Sequence, residues 1–177
     1  TLNVIGSKDD PIDSIAEQID QTVKENWISK GIPSSLKTKT KKTVAGVIKS
    51  LNNIVLELNK KNHGLILIVD EMGKFLDYAS SVGSDLNLFQ EIAENFSNNR
   101  LNKEGEPVFI GILHQPFEEY ASSLGRTVQE DWQKIQGRFE DIPFSINSEE
   151  TAHLIAKAIK QKKTGPEFIK LANSIIK

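Results

Sequence analysis

The chain has 177 residues, 38% of them hydrophobic, which is enough for one well-buried core with a small appended lid. A formal net charge of −2 gives no overall basic excess that would announce a nucleic-acid or anionic-membrane partner, and the absence of cysteine excludes a disulfide framework and any thiolate metal site. No apolar run approaches the roughly 20 residues that span a bilayer and no signal-like segment opens the chain, so the expectation is a cytoplasmic protein with no membrane partner.

Residues 1–5 read as a strand, and since the chain begins with Thr1 rather than methionine, it is expected to be a fragment whose natural N-terminus lies upstream. After the turn Gly6-Ser7-Lys8-Asp9, Asp10 can cap and Pro11 can open a helix reaching about Ser29, with Ile12, Ile15, Ile19 and Val23 on its apolar face. Gly31-Ile32-Pro33 breaks it. Ser34-Ser35 then starts a second helix whose Val44, Val47, Ile48, Leu51, Ile54, Val55 and Leu58 recur at steps of three and four, ended by Asn62-His63-Gly64.

Leu65-Ile66-Leu67-Ile68-Val69 is a short continuous apolar run, the pattern of a strand covered on both faces of a parallel sheet. Residues 108–113 form a second such run, and residues 85–98 between them carry helical spacing, so a strand, helix, strand unit emerges. Short helices are expected over residues 116–124 and 127–136, and a third strand over residues 142–146, where Pro143 favours an edge or early strand position. Ser148 caps a helix with Glu149 and Glu150 in its first turn and Lys157, Lys160, Lys162 and Lys163 towards its end, charges matched to the helix dipole. A last helix starts at Thr164-Gly165-Pro166-Glu167 with a capping-box spacing.

The main chemical signal is Asp70-Glu71, two carboxylates at the carboxyl end of a buried strand, where α/β sheets bind ligands. In a phosphoryl-transfer site an acid there can hold magnesium through its water shell while a neighbouring glutamate orients and deprotonates the attacking water. The same dipeptide also reads as a polar strand-to-helix turn capped by Asp70. The next apolar strand ends in His114 and Gln115, which suit hydrogen bonds to a γ-phosphate or to that water, although His114 equally suits a satisfied strand end. An arginine, Arg138, precedes the expected third strand; it could instead pair with Glu140 or Asp141.

Taken in order, Asp70-Glu71, His114-Gln115 and Gly137-Arg138-Phe139 resemble the Walker B, sensor 1 and arginine-finger region of AAA+ and STAND-like P-loop ATPases, over residues 65–177. The resemblance implies a three-layer α/β/α core with a mostly parallel sheet over residues 1–147 and the start of a helical lid over residues 148–177. It implies ATP and Mg2+ as cofactors in the full-length protein, Asp70 on the metal side, Glu71 as catalytic base and His114 or Gln115 as sensor. Arg138, with Arg126 as rival, would be a finger reaching the neighbouring subunit's nucleotide, and so implies a homo-oligomer. A bacterial machine of DNA transactions or defence, acting on a DNA or protein target, fits this resemblance. The sensor position departs from the asparagine or threonine usual there.

No G-x-x-x-x-G-K-[ST] phosphate loop occurs. At Gly73-Lys74, Ile68 stands where the first glycine belongs and Phe75 where the hydroxyl residue belongs. The isolated fragment is therefore expected to bind nucleotide poorly. Lys37-Thr38-Lys39-Thr40-Lys41-Lys42 is the one biased run, either a solvated face or the contact surface of a non-catalytic nucleic-acid-binding scaffold. Glu150 and His153 have a helical metal-ligand spacing without further ligands, and Trp27 and Trp132 read as packing residues.

Overall fold

The computed structural model describes residues 1–27, 31–82, 87–99, 106–116, 119–120, 126–143 and 148–158. The chain divides into two compact units, Thr1–Glu140 and Asp141–Lys177. In the first, three parallel strands, β1 (Leu2–Ile5), β2 (Ile66–Asp70) and β3 (Val108–Gly111), lie in the order β1-β2-β3, with Leu2 opposite Leu67 and Leu67 opposite Phe109. The helices are α1 (Pro11–Trp27), α2 (Val44–Asn59), α3 (Met72–Val82), α4 (Asn87–Asn99) and α5 (Arg126–Gln136).

Local chemistry explains the ends of the elements. The Asp10 carboxylate accepts from the Ile12 N–H at 2.8 Å, and Pro11, which has no N–H to leave unpaired, opens α1. The second long helix starts later than the hydroxyl pair Ser34-Ser35 suggests. Residues Ser34–Leu36 make one 3-10 turn, and α2 begins after Thr43, whose hydroxyl accepts from the Gly46 N–H at 3.1 Å. At its other end Asn62 takes the left-handed conformation, φ 56°, while His63 N–H reaches the Leu58 carbonyl at 3.1 Å and Asn62 N–H reaches Asn59 at 3.1 Å. That pair of bonds is a Schellman cap, which needs a residue tolerant of positive φ.

The strands step in one direction across the sheet. Right-handed crossovers between successive neighbours then bring their helices to the same face. Burial agrees: Leu2, Val4, Leu67 and Val69 are buried on one face, while Ile5 (71% exposed), Ile66 and Ile110 (each 42%) lie on the other. The expectation that residues 65–69 are covered on both faces is thus not met by the described residues. On the covered face α1 packs on β1 and α2, α2 on α4, and α4 on β3 and α5. The core centres on Phe75 and Phe89, fully buried with ring centroids 6.3 Å apart, and Phe109 and Phe139 extend the aromatic chain at 5.1 Å, edge to face. Each fully buried aliphatic or aromatic side chain there contributes about 1.5–3 kcal/mol through burial. Trp27 is buried, as its packing reading requires.

Helix α3 follows Asp70-Glu71 directly, as the strand-to-helix reading of that pair implies, and its Met72, Phe75, Leu76 and Ala79, all buried, recur at helical spacing. Of the expected third strand, Ile142 and Pro143 are irregular backbone, and residues 144–147 lie outside the described residues. So do the greater part of the expected helix at 116–124 and all of the one after Thr164. In the second unit, α6 (Ser148–Ala158) covers the first part of the expected helix, with Lys157 in its last turn and Leu154 and Ile155 exposed, whereas Lys160, Lys162 and Lys163 lie outside the described residues.

Candidate functional site

Because β1, β2 and β3 run parallel, their carboxyl ends share one edge of the sheet. β2 is the middle strand and ends at Asp70, an exposed residue. Its neighbours come close on both sides. The Gly6 N–H donates to the Asp70 carbonyl at 2.7 Å and the Met72 N–H donates to the Ile112 carbonyl at 3.0 Å, tying the exits of β1 and β3 to that of β2. A side chain at residue 6 would run into the Glu71 carbonyl, so this approach requires glycine.

Glu71 takes φ 53°, in the left-handed region that non-glycine residues rarely occupy. Such a conformation costs on the order of 1–3 kcal/mol and persists only where its surroundings impose it. Here Glu71 N–H donates to Asp70 Oδ1 at 2.8 Å and the Glu71 carbonyl accepts from Lys74 N–H at 2.9 Å. The side chain is held as well. Oε2 pairs with the Lys74 ammonium, and Oε1 lies 3.7 Å from His114 Nε2. The Lys74 hydrogen bond, ahead of the weaker effect of His114, holds the Glu71 carboxyl below the usual carboxylate range, against an opposing effect of desolvation. Glu71 is therefore an anion at neutral pH.

The structure brings Asp70, Glu71 and His114 together at the sheet edge, and Gln115 follows His114 as an exposed residue. Arg138 is placed differently. Its Nη2 meets Glu94 Oε1 of α4 at 2.7 Å, and neither Glu140 nor Asp141, the partners its sequence position suggests, is the one it takes in that ion pair. Arg126 is the first residue of α5. Lys74 and Gly6 are the contributors the sequence reading missed. In the sequence Lys74 reads as part of a failed phosphate loop, whereas its place three residues after Glu71, in the first turn of α3, is the spacing of a helical ion pair.

A magnesium ion fits this donor set in one way. It keeps several waters and is held through one or two carboxylates together with substrate phosphates, which matches the exposed Asp70 beside Glu71. A closed protein cage does not fit: no group of three or more metal-ligating residues occurs among the described residues. His153 is exposed on α6 with no such cluster around it. No helix among the described residues is long and apolar enough to cross a membrane. No family model matches the chain, and neither a curated protein nor a solved structure matches it.

Proposed function

We propose that this chain supplies the metal-side and water-activating half of an ATP-hydrolysing site of AAA+ or STAND type, in a protein whose phosphate loop lies elsewhere. The observation that carries the reading is Asp70 and Glu71 at the carboxyl end of the middle parallel strand, with His114 of the neighbouring strand's exit 3.7 Å from Glu71. Asp70 would hold magnesium through its water shell, and the bound ion would neutralise charge on the phosphates. Glu71, already ionised, would orient the attacking water and accept its proton, with His114 or Gln115 hydrogen-bonding the γ-phosphate. For this the Lys74 ammonium must release Oε2, and a phosphate oxygen is a partner able to draw it away. The three-layer core belongs to the same reading, since the sheet face bearing Ile5, Ile66 and Ile110 is the one a second helical layer would cover.

Arg138 serves as a finger in trans within this reading only after it leaves Glu94, so assembly and loss of that ion pair would be coupled. A bacterial DNA-transaction or defence machine, built as a homo-oligomer around a DNA or protein target, remains the setting the resemblance suggests. The competing reading is a non-catalytic, NTPase-like scaffold. The Lys74–Glu71 pair favours it, because it occupies the carboxylate that would otherwise take a proton.

The deciding experiment is magnesium-dependent phosphate release from ATP by the full-length protein and its Glu71→Gln variant, with ATP binding measured in parallel. The proposal expects binding to be kept and turnover to fall by about 10²-fold or more, the usual contribution of a general base. Turnover unaffected by the substitution would remove the role given to Glu71, and a protein that neither binds nor hydrolyses ATP would leave the scaffold reading.

A further inference from the structure

Charge in this chain is unevenly placed. Residues 26–56 contain Lys30, Lys37, Lys39, Lys41, Lys42 and Lys49 and no acidic residue, in a chain whose formal net charge is −2. Within that stretch the loop leading to α2 is fastened at two points. Thr40 is buried, its N–H donating to Asp20 Oδ1 at 2.9 Å and its hydroxyl to Ser50 Oγ at 3.1 Å. Lys42 folds back onto α1, where Nζ meets Glu17 at 2.7 Å and Asp13 at 3.1 Å, contacts that raise its pKa.

The remaining lysines behave differently. Lys37, Lys39 and Lys41 are exposed, and no ion pair or hydrogen bond engages their ammonium groups among the described residues. The fastening therefore holds three like charges within five residues, and no ion pair of their own among the described residues offsets their repulsion. A polyanion laid along the loop would offset it. Lysine ammonium groups are common contacts of phosphodiester oxygens, as are hydroxyl side chains and helix N-termini. Thr38 adds an exposed hydroxyl, and the first turn of the 16-residue α2 opens directly after the loop. Residues 34–43 contain no aromatic side chain to stack on a base and no Asn or Gln to read one. Lys49 is not part of the surface, because the open cleft of about 570 Å³ that it lines also contains Glu91, which would repel phosphate.

We infer that residues 37–41 form a docking site for the phosphate backbone of a nucleic acid, engaged through Lys37, Lys39 and Lys41 without base readout. The site is independent of the nucleotide reading, since it shares no residue with Asp70, Glu71 or His114.

The test is fluorescence anisotropy of the chain with a labelled mixed-sequence DNA duplex across salt concentrations, comparing it with Lys37→Ala/Lys39→Ala/Lys41→Ala and with the corresponding triple arginine variant. The alanine variant should bind at least about tenfold more weakly at low salt and shift the log–log salt slope by about 2–3, since each phosphate contact contributes ~0.9. The arginine variant should bind as the parent does, and an unchanged circular dichroism spectrum shows that the alanine variant is folded. The inference fails if the parent does not bind the duplex at low salt, or if the alanine variant binds equally well. Competition by polyglutamate as effective as by unlabelled DNA would overturn it in favour of an acidic protein partner.

Discussion

His114 Nε2 lies 3.7 Å from Glu71 Oε1, joining the exit of β3 to the exit of β2 across the sheet edge. The stronger hold on the same carboxylate comes from Lys74, and both lower its pKa from the ordinary 4.5. A carboxyl whose folded-state pKa is depressed contributes stability that is fully present above its unfolded value and is lost as pH falls through the folded value. The acid-sensitive window of this contact therefore lies below about 4.5. Carboxyl-carbon NMR titration should show the Glu71 midpoint rising towards the ordinary value in Lys74→Ala, and rising by less in His114→Ala. A midpoint insensitive to Lys74, or more sensitive to His114, contradicts the geometry.

How much of this was legible beforehand depends on where the information resides. The strands around Leu67 and Phe109 and the cap at Asp10 follow from local patterns, and each formed where its pattern placed it. The extent of helix α3 is harder to read, because its apolar residues directly follow Asp70-Glu71, a pair that reads both as a chemical motif and as a strand-to-helix turn. The proximity of His114 to Glu71 needed only parallel neighbouring strands. By contrast, the Arg138–Glu94 pair joins residues far apart in sequence, through the packing of α5 on α4, and no local spacing announces it. The left-handed Glu71 was equally hidden, since glutamate gives no sign of positive φ and the constraint comes from Gly6, Asp70 and Lys74.

Arg138 and Glu94 are each partly exposed, 51% and 32% at the side chain, so their ion pair belongs to the class worth about 0.2–1 kcal/mol. Urea denaturation of Arg138→Ala, Glu94→Ala and the double variant should give a coupling energy in that range, shrinking as salt is added. Strict additivity would mean that the contact is not maintained in solution. The same variants bear on the finger proposal: in an assembled ATPase, Arg138→Ala should lower turnover, whereas Glu94→Ala, which only frees the guanidinium, should not.

The start of α2 offers two hydroxyl candidates, and the structure separates them. Thr43 accepts from the Gly46 N–H at 3.1 Å and caps the helix, whereas Ser34 opens a 3-10 turn and caps nothing in α2. An N-cap hydroxyl satisfies a backbone donor that would otherwise be left without an intrahelical partner, and its loss costs about 0.5–2 kcal/mol. Thr43→Ala should therefore lower the unfolding free energy by about 1 kcal/mol in urea. Thr43→Ser, which keeps the acceptor, should recover most of the loss. Ser34→Ala should be close to neutral, within about 0.5 kcal/mol, as for a surface position away from a cap. The reverse order would return the helix start to the Ser34-Ser35 pair, and residues 37–41 would then be the first turns of a helix rather than a fastened loop.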